Sequence, residues 1–372
     1  MISKRLTGPV LYIANAEEEA DILYRTGFSA PGKLVFLEER NGKRHLIVSD
    51  LEFKRAQRVA SECHIWRLTD FELFGKPVSS LAGSALALIN RLKLKKVNVS
   101  RTFPYGCASI LIDNGVELVI HDKPFYRQRE IKSESEIRLI RQSQRAANDA
   151  MLAAWRLIKS AEIGKKKLLF VNGTQLTSDL VRAEINKTLL DHNCVGTGTI
   201  VACGSQAADP HESGYGPLYA NESIVIDIFP RHDRHGYWGD LTRTFVRGKA
   251  SPALRKMYNA VYAAQKAALS RIRHGAIIRS VHMACEEEFE RRGLETESGE
   301  GFIHSTGHGL GLEIHENPTL SSSGDKLRAG NVITVEPGLY YHATGGIRIE
   351  DVVLVTDTGY RYIAGLKNFF EI

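Results

Sequence analysis

Apolar residues recur along this chain at two different spacings, and the change of spacing divides it. In the first third, short apolar runs alternate with turn signals: Leu34 to Phe36, a turn at Asn41-Gly42-Lys43, His45 to Val48, then a charged helix over about Leu51 to Val59. Val97 to Val99 and Leu118 to Ile120 are two further strand-like runs. Strands interleaved with helical stretches predict a small α/β unit. After the polar stretch Tyr126 to Glu136 the pattern changes, and Ile137, Ile140, Ala147, Ala150, Met151, Ala154 and Leu157 recur at helical spacing. A domain boundary is therefore placed there, with residues 1–128 as an N-terminal α/β domain and 129–372 as a second domain. The first domain has no cluster of His, Asp or Glu in apolar surroundings and reads as scaffold or interface.

In the second domain, Ser251-Pro252 offers an N-cap and a first-turn proline for a helix expected to end at Gly275, and the next helix is expected to stop at Gly293. Three runs have strong β character: Ile224 to Phe229, Val332 to Val335 and Ile347 to Val355. Asp227 lies inside the first, where an ionised carboxylate is costly unless a cation, several donors or an arginine partner compensates it. Asp240 precedes Leu241-Thr242-Arg243-Thr244-Phe245, again an internal acid in a β-prone context, and taken alone also reads as a turn residue. Glu336 ends the second run, just before Pro337-Gly338. In the third, alternation puts Arg348, Glu350 and Val352 on one face and Asp351 on the other, which predicts that Arg348 steadies Glu350 and that Asp351 faces solvent.

Composition narrows the class. With 372 residues, 43% of them hydrophobic and 25% charged, the chain has the makings of two folded domains and no low-complexity tract. The net charge of +6 resides partly in short clusters (Lys93, Lys95 and Lys96; Lys165 to Lys167) beside apolar runs, without the broad basic stripe and interleaved aromatics of a nucleic-acid binder. Five cysteines without CxxC spacing argue against a disulfide framework or a thiolate zinc site and for a reducing compartment. The apolar run Val10 to Ile13, soon followed by Glu17, Glu18 and Glu19, is too short for a secretory signal, and nothing approaches the ~20 apolar residues that span a bilayer. A cytoplasmic protein without membrane or nucleic-acid partners is expected.

The segment His304 to His315 holds three histidines, with glycines at 307, 309 and 311 that allow close backbone approach or positive φ. If the four acids converge near it, they cannot all stay ionised in a low-dielectric cleft without strong compensation. Two divalent cations would supply it. One imidazole with four carboxylates suits Mn, Co, Fe or Zn, and the lack of thiolates argues against a structural zinc.

Five segments in order, Ile224-Val225-Ile226-Asp227, Gly239-Asp240-Leu241-Thr242-Arg243-Thr244-Phe245, Gly307-His308-Gly309-Leu310-Gly311, Val335-Glu336-Pro337-Gly338 and Ile347-Arg348-Ile349-Glu350-Asp351, resemble the pita-bread metallopeptidases: aminopeptidase P, prolidase, methionine aminopeptidase and creatinase. The resemblance covers about residues 130–372, and the N-terminal unit is similar in pattern to the N-terminal domain of the prolidase and aminopeptidase P branch. It implies an α+β chain with a C-terminal pita-bread fold, two divalent metal ions (manganese first) and the ligands Asp227, Asp240, His308, Glu336 and Glu350. It further implies that His211 lies near the scissile bond, that His304 and His315 contact substrate or transition state, and that Arg348 is the arginine of the proline-specific branch. The implied activity is hydrolysis of the bond before proline in short peptides by a homodimer, through a metal-bridging hydroxide, with Glu336 as proton shuttle. One departure is visible: Phe229-Pro230 stands where the family often has Gly two residues after the first ligand. The rival readings are a metal-dependent hydrolase or lyase of a small non-peptide compound and a metal-free binding module, which the complete ligand set speaks against.

Overall fold

Six strands of the N-terminal unit, Met1–Arg127, pair into one sheet. They are β1 (Val10–Asn15), β2 (Lys33–Glu38), β3 (Arg44–Val48), β4 (Cys63–Arg67), β7 (Lys96–Ser100) and β8 (Glu117–His121), in the order β4-β3-β2-β1-β7-β8; a small ribbon, β5 (Glu72–Leu73) and β6 (Lys76–Pro77), lies apart. This computed structural model describes residues 8–73, 75–122, 124–294, 296–297 and 299–372. Four helices accompany the sheet: α1 (Ala20–Thr26), α2 (Asp50–Val59), α3 (Leu81–Arg91) and α4 (Tyr105–Asp113). Alternate strand residues bury on opposite faces, Leu11, Ile13, Val35 and Leu37 in one core and Tyr12, Phe36 and Leu46 in another, as a sheet covered on both sides requires.

The second unit, Gln128–Ile372, consists of two halves of similar make. In the first, α5 (Glu134–Ser160) and α6 (Ser178–Asp191) pack on a sheet of β13 (Ile200–Cys203), β14 (Ile224–Ile228) and β16 (Leu241–Phe245), in the order β13-β14-β16. A three-stranded ribbon, β9 (Glu162–Ile163), β10 (Leu169–Val171) and β11 (Thr174–Gln175), and a pair, β12 (Cys194–Gly196) with β15 (Pro230–His232), flank it. In the second half, α7 (Pro252–Arg271) and α8 (Ile278–Glu290) pack on β17 (Val332–Val335), β20 (Asp351–Val355) and β21 (Tyr360–Tyr362), with β18 (Gly338–Tyr341) and β19 (Gly345–Arg348) as a hairpin.

Local chemistry explains the helix ends. Ser133 and Glu136 cap α5 reciprocally, Ser133 Oγ accepting from Glu136 N and the Glu136 carboxylate from Ser133 N, a feature worth about 1 kcal/mol. Ser251 accepts from Leu254 N with Pro252 behind it. α7 ends at Arg271, short of Gly275, because His274 N donates to Thr356 O and Gly275 N to Leu327 O, partners outside the helix. The single strand expected over Ile347 to Val355 is two. β19 pairs with β18 and β20 with β17, and at the change of partner Glu350 N donates to Thr242 O at 3.1 Å. That break sets the direction of Glu350. No helix among the described residues is long and apolar enough to cross a membrane.

Candidate metal centre

The two halves each contribute acids to one cavity of about 620 Å³. β14 supplies Asp227, and the residue entering β16 is Asp240, whose N–H and C=O are both held by the Gln144 amide of α5 (2.9 and 2.7 Å). The second half supplies His308, Glu336 at the end of β17, and Glu350 at the break between β19 and β20. All five positions expected as ligands therefore line the same space. Ligand atoms of Asp240, His308 and Glu350 lie within 4.8 Å of one another, and all three residues are buried. His308 Nε2 is 3.2 Å from Glu336 Oε1 and 3.7 Å from Asp240 Oδ2.

The glycines bring this about by close approach rather than by positive φ. A Cβ on Gly307 would stand 2.1 Å from Thr334 O, and one on Gly309 2.3 Å from Asn317 O, so the His308 segment lies directly against neighbouring backbone. His308 Nδ1 sits 3.0 Å from Gly309 O and must donate to it, which leaves Nε2 as the nitrogen facing the acids. Thr242 donates to Glu350 Oε2 at 2.8 Å, and Thr334 donates to Glu336 Oε1 at 3.0 Å while accepting from His308 N. These threonines escaped sequence reading, yet each stands two residues from an acid, so strand alternation was the signal that pointed to them. Tyr340, which bridges His304 Nε2 (2.9 Å) and Arg348 Nη1 (2.8 Å), carried no such signal.

Two expectations are corrected. Arg348 does not steady Glu350: its Nη2 binds Asp227 Oδ2 at 2.8 Å, because the break after Arg348 turns Glu350 elsewhere. Asp351 is buried, not solvated, and pairs with Arg243 at 2.8 Å and with Gln265 at 3.0 Å. Of the remaining histidines, His304 is half-buried with both ring nitrogens bonded, whereas His211 and His315 stand exposed on the cavity wall.

Charge is left uncompensated. Burial first, and then repulsion from Asp227, push the Asp240 carboxyl well above the ordinary range; burial followed by Asp240 and Glu336 does the same to Glu350. Burial raises Asp227 too, against the pull of Arg348. Burial would lower His308, but its bond to Glu336 and the nearby acids bring it up to about 9, and burial would raise Glu336, which His308 holds down at about 2. Burial and mutual repulsion thus oppose the charged form of these acids, a form that divalent cations would favour, since metal ligation and protonation compete for the same lone pairs. The fit is supported by one orphaned atom: Asp227 Oδ1 is buried without a hydrogen-bond partner.

Residues 138–357 match Metallopeptidase family M24. The chain belongs to that family, a group of metal-dependent hydrolases. It is 32% identical over 275 residues to an Xaa-Pro dipeptidase of Pyrococcus horikoshii, covering 72% of each chain, and 27% identical over 347 residues to the uncharacterized peptidase YqhT of Bacillus subtilis, covering 92% of this chain and 90% of that one. In fold it is similar to an Xaa-Pro dipeptidase from Bacillus anthracis (TM-score 0.84, 24% identity, 98% and 95% of the two chains) and to the prolidase from Pyrococcus furiosus (TM-score 0.80, 25% identity, 97% of each). The architecture is accordingly prolidase-like, an N-terminal α/β domain followed by a pita-bread domain.

Proposed function

We propose that this chain hydrolyses the peptide bond preceding proline in short peptides, as an Xaa-Pro dipeptidase or aminopeptidase. In this reading Asp227, Asp240, His308, Glu336 and Glu350 hold two divalent cations, manganese first among Mn, Co, Zn and Fe. The observation that carries it is the meeting, in one cavity, of four mostly buried carboxylates with the guanidinium of Arg348 and the imidazole of His308. The names of the Pyrococcus relative and of the structural neighbours support the choice of substrate.

Cations bound there supply Lewis acidity, which makes water nucleophilic near neutral pH. Glu336 takes the proton released as water adds to the scissile carbonyl and delivers it to the proline nitrogen as the C–N bond breaks. His211 and His315, exposed on the cavity wall, offer ring N–H groups to the oxygen that becomes negative, an effect that supplies several kcal/mol when the donors are held in place. His304 has both nitrogens committed and therefore orients, through Tyr340, the arginine that holds Asp227. A proline bond lacks the N–H that ordinary peptidases use, so a dedicated pocket is useful. The assembly in this reading is a homodimer, checked by the mass in solution.

The deciding experiment uses metal-stripped protein reloaded separately with Mn, Co and Zn and offered Xaa-Pro dipeptides, Xaa-Pro-Yaa tripeptides and Met-Ala-Ser. Metal-dependent release of the residue before proline is expected. Silence on every peptide with metal bound would transfer the site to a non-peptide substrate.

A further inference from the structure

One wall of the cavity carries no polar side chain. Gly198, Ile200 and Phe229 form it, with Ile200 paired to Asp227 across the ladder and Phe229 two residues beyond that acid. The backbone beneath is irregular in a specific way. Gly196 pairs with Pro230 and Ile200 pairs with Asp227, so three residues, Thr197 to Thr199, face only two, Ile228 and Phe229. Such a bulge re-aims the side chain next to it. Gly198, at φ +83, occupies the middle of the bulge, and a Cβ there would stand 3.2 to 3.3 Å from the Phe229 ring. The ring therefore lies over Gly198, where a side chain would otherwise be, and its half-buried face borders the cavity. Ile200, the partner of Asp227 across the ladder, completes the wall.

We propose that Phe229 determines specificity by limiting the bulk of the substrate side chain that precedes the scissile bond, with small aliphatic residues preferred. This rests on the reading of Xaa-Pro hydrolysis above. The proline ring is the same size in every such substrate, so a wall that selects by size acts on the residue that varies, which in a dipeptide is the first. The wall makes no charge or hydrogen-bond demand, so bulk is what it can discriminate. A misfit of a methylene or more at such a wall changes kcat/KM by about tenfold or more.

The test compares wild type, Phe229→Leu and Phe229→Ala, each loaded with manganese, on Gly-Pro, Ala-Pro, Val-Pro, Leu-Pro and Phe-Pro. The readout is the ratio of kcat/KM for Phe-Pro to that for Ala-Pro within each protein, which cancels any loss of metal or of folded enzyme. The ratio is expected to rise about tenfold in Phe229→Ala and by a smaller factor in Phe229→Leu, which keeps an apolar side chain over Gly198. Active variants whose ratios stay within about twofold of wild type would overturn the proposal and leave the Xaa-Pro reading standing. A metal-loaded wild type that cleaves neither these five nor the corresponding Xaa-Pro-Yaa tripeptides would overturn both.

Discussion

Two groups of buried acids lie in the C-terminal unit, and the fold treats them in opposite ways. Glu316 belongs to the first. Its carboxylate accepts from Lys132 at 2.9 Å, from Arg129, and from the N–H groups of Leu312 (2.9 Å) and Glu313 (3.1 Å). Burial alone would raise its pKa, yet Lys132 and Arg129 outweigh burial and hold it below the ordinary value. Asp227, Asp240, Glu336 and Glu350 form the second group, and among the described residues their close cations are Arg348 and the imidazole of His308. Acids that carry their own cations act as structure. Acids that lack them form a place for cations from outside. One loop joins the two groups: a Cβ on Gly311 would stand 2.6 Å from the Glu316 carboxylate, so the segment presenting His308 rests on the compensated acid.

The largest effect expected is on Asp240→Asn. Turnover of an Xaa-Pro substrate should fall at least ~10³-fold, about 4 kcal/mol in barrier. The metal-free protein should at the same time melt higher, by roughly 2–4 °C for each kcal/mol of repulsion relieved. A calorimetric scan with and without chelator checks the second part, and a lower melting temperature for the metal-free variant would show that Asp240 is compensated after all.

Glu316→Gln should act in the opposite sense. It leaves Arg129 and Lys132 facing an amide, and breaking a buried pair costs about 3–5 kcal/mol. The urea midpoint should drop accordingly, and kcat/KM should fall with it as the His308 segment loses its support. An unchanged midpoint would remove Glu316 from the structural side of the comparison.

Manganese sharpens the contrast by mass action. At a free concentration of 100 Kd it should stabilise wild type by about 2.7 kcal/mol, and Glu316→Gln by a similar increment. Asp240→Asn should gain much less at the same concentration. Equal gains in all three proteins would place the binding site elsewhere.

The second group was largely legible in the sequence and the first was not. Asp227 and Glu336 stand in or at the end of apolar β runs, where a carboxylate is conspicuous, and His308 stands among glycines spaced for close approach. Glu316 gave no sign, because its cations lie 184 and 187 positions away and only the folded chain brings them together. Asp351 was misread for the same reason: alternation says which face a side chain takes, not that Arg243 waits there from 108 residues earlier. The helix from Ser251 was legible because capping is local, and the one that follows Glu136 because its apolar spacing is, while the end of α7 was set by Thr356 and Leu327. Phe229 was noticed as a departure, but its seat over Gly198 depends on a bulge between two strand pairs that no spacing reveals.

The smallest effect expected is on pH dependence, and it isolates the compensated acid. Glu316 has a folded pKa below its unfolded value of about 4.3, so the stability it contributes is complete above that value and is lost as pH falls through the folded one. Protonated Glu316 resembles glutamine in shape and charge. The stability difference between wild type and Glu316→Gln should therefore be widest near pH 6 and narrow steadily below about pH 4, while other carboxylates, common to both proteins, cancel. Urea denaturation of the chelator-treated pair across that range reads it directly. A difference that widened on acidification would mean that the folded chain favours the protonated form of Glu316, and the two groups of acids would no longer be opposites.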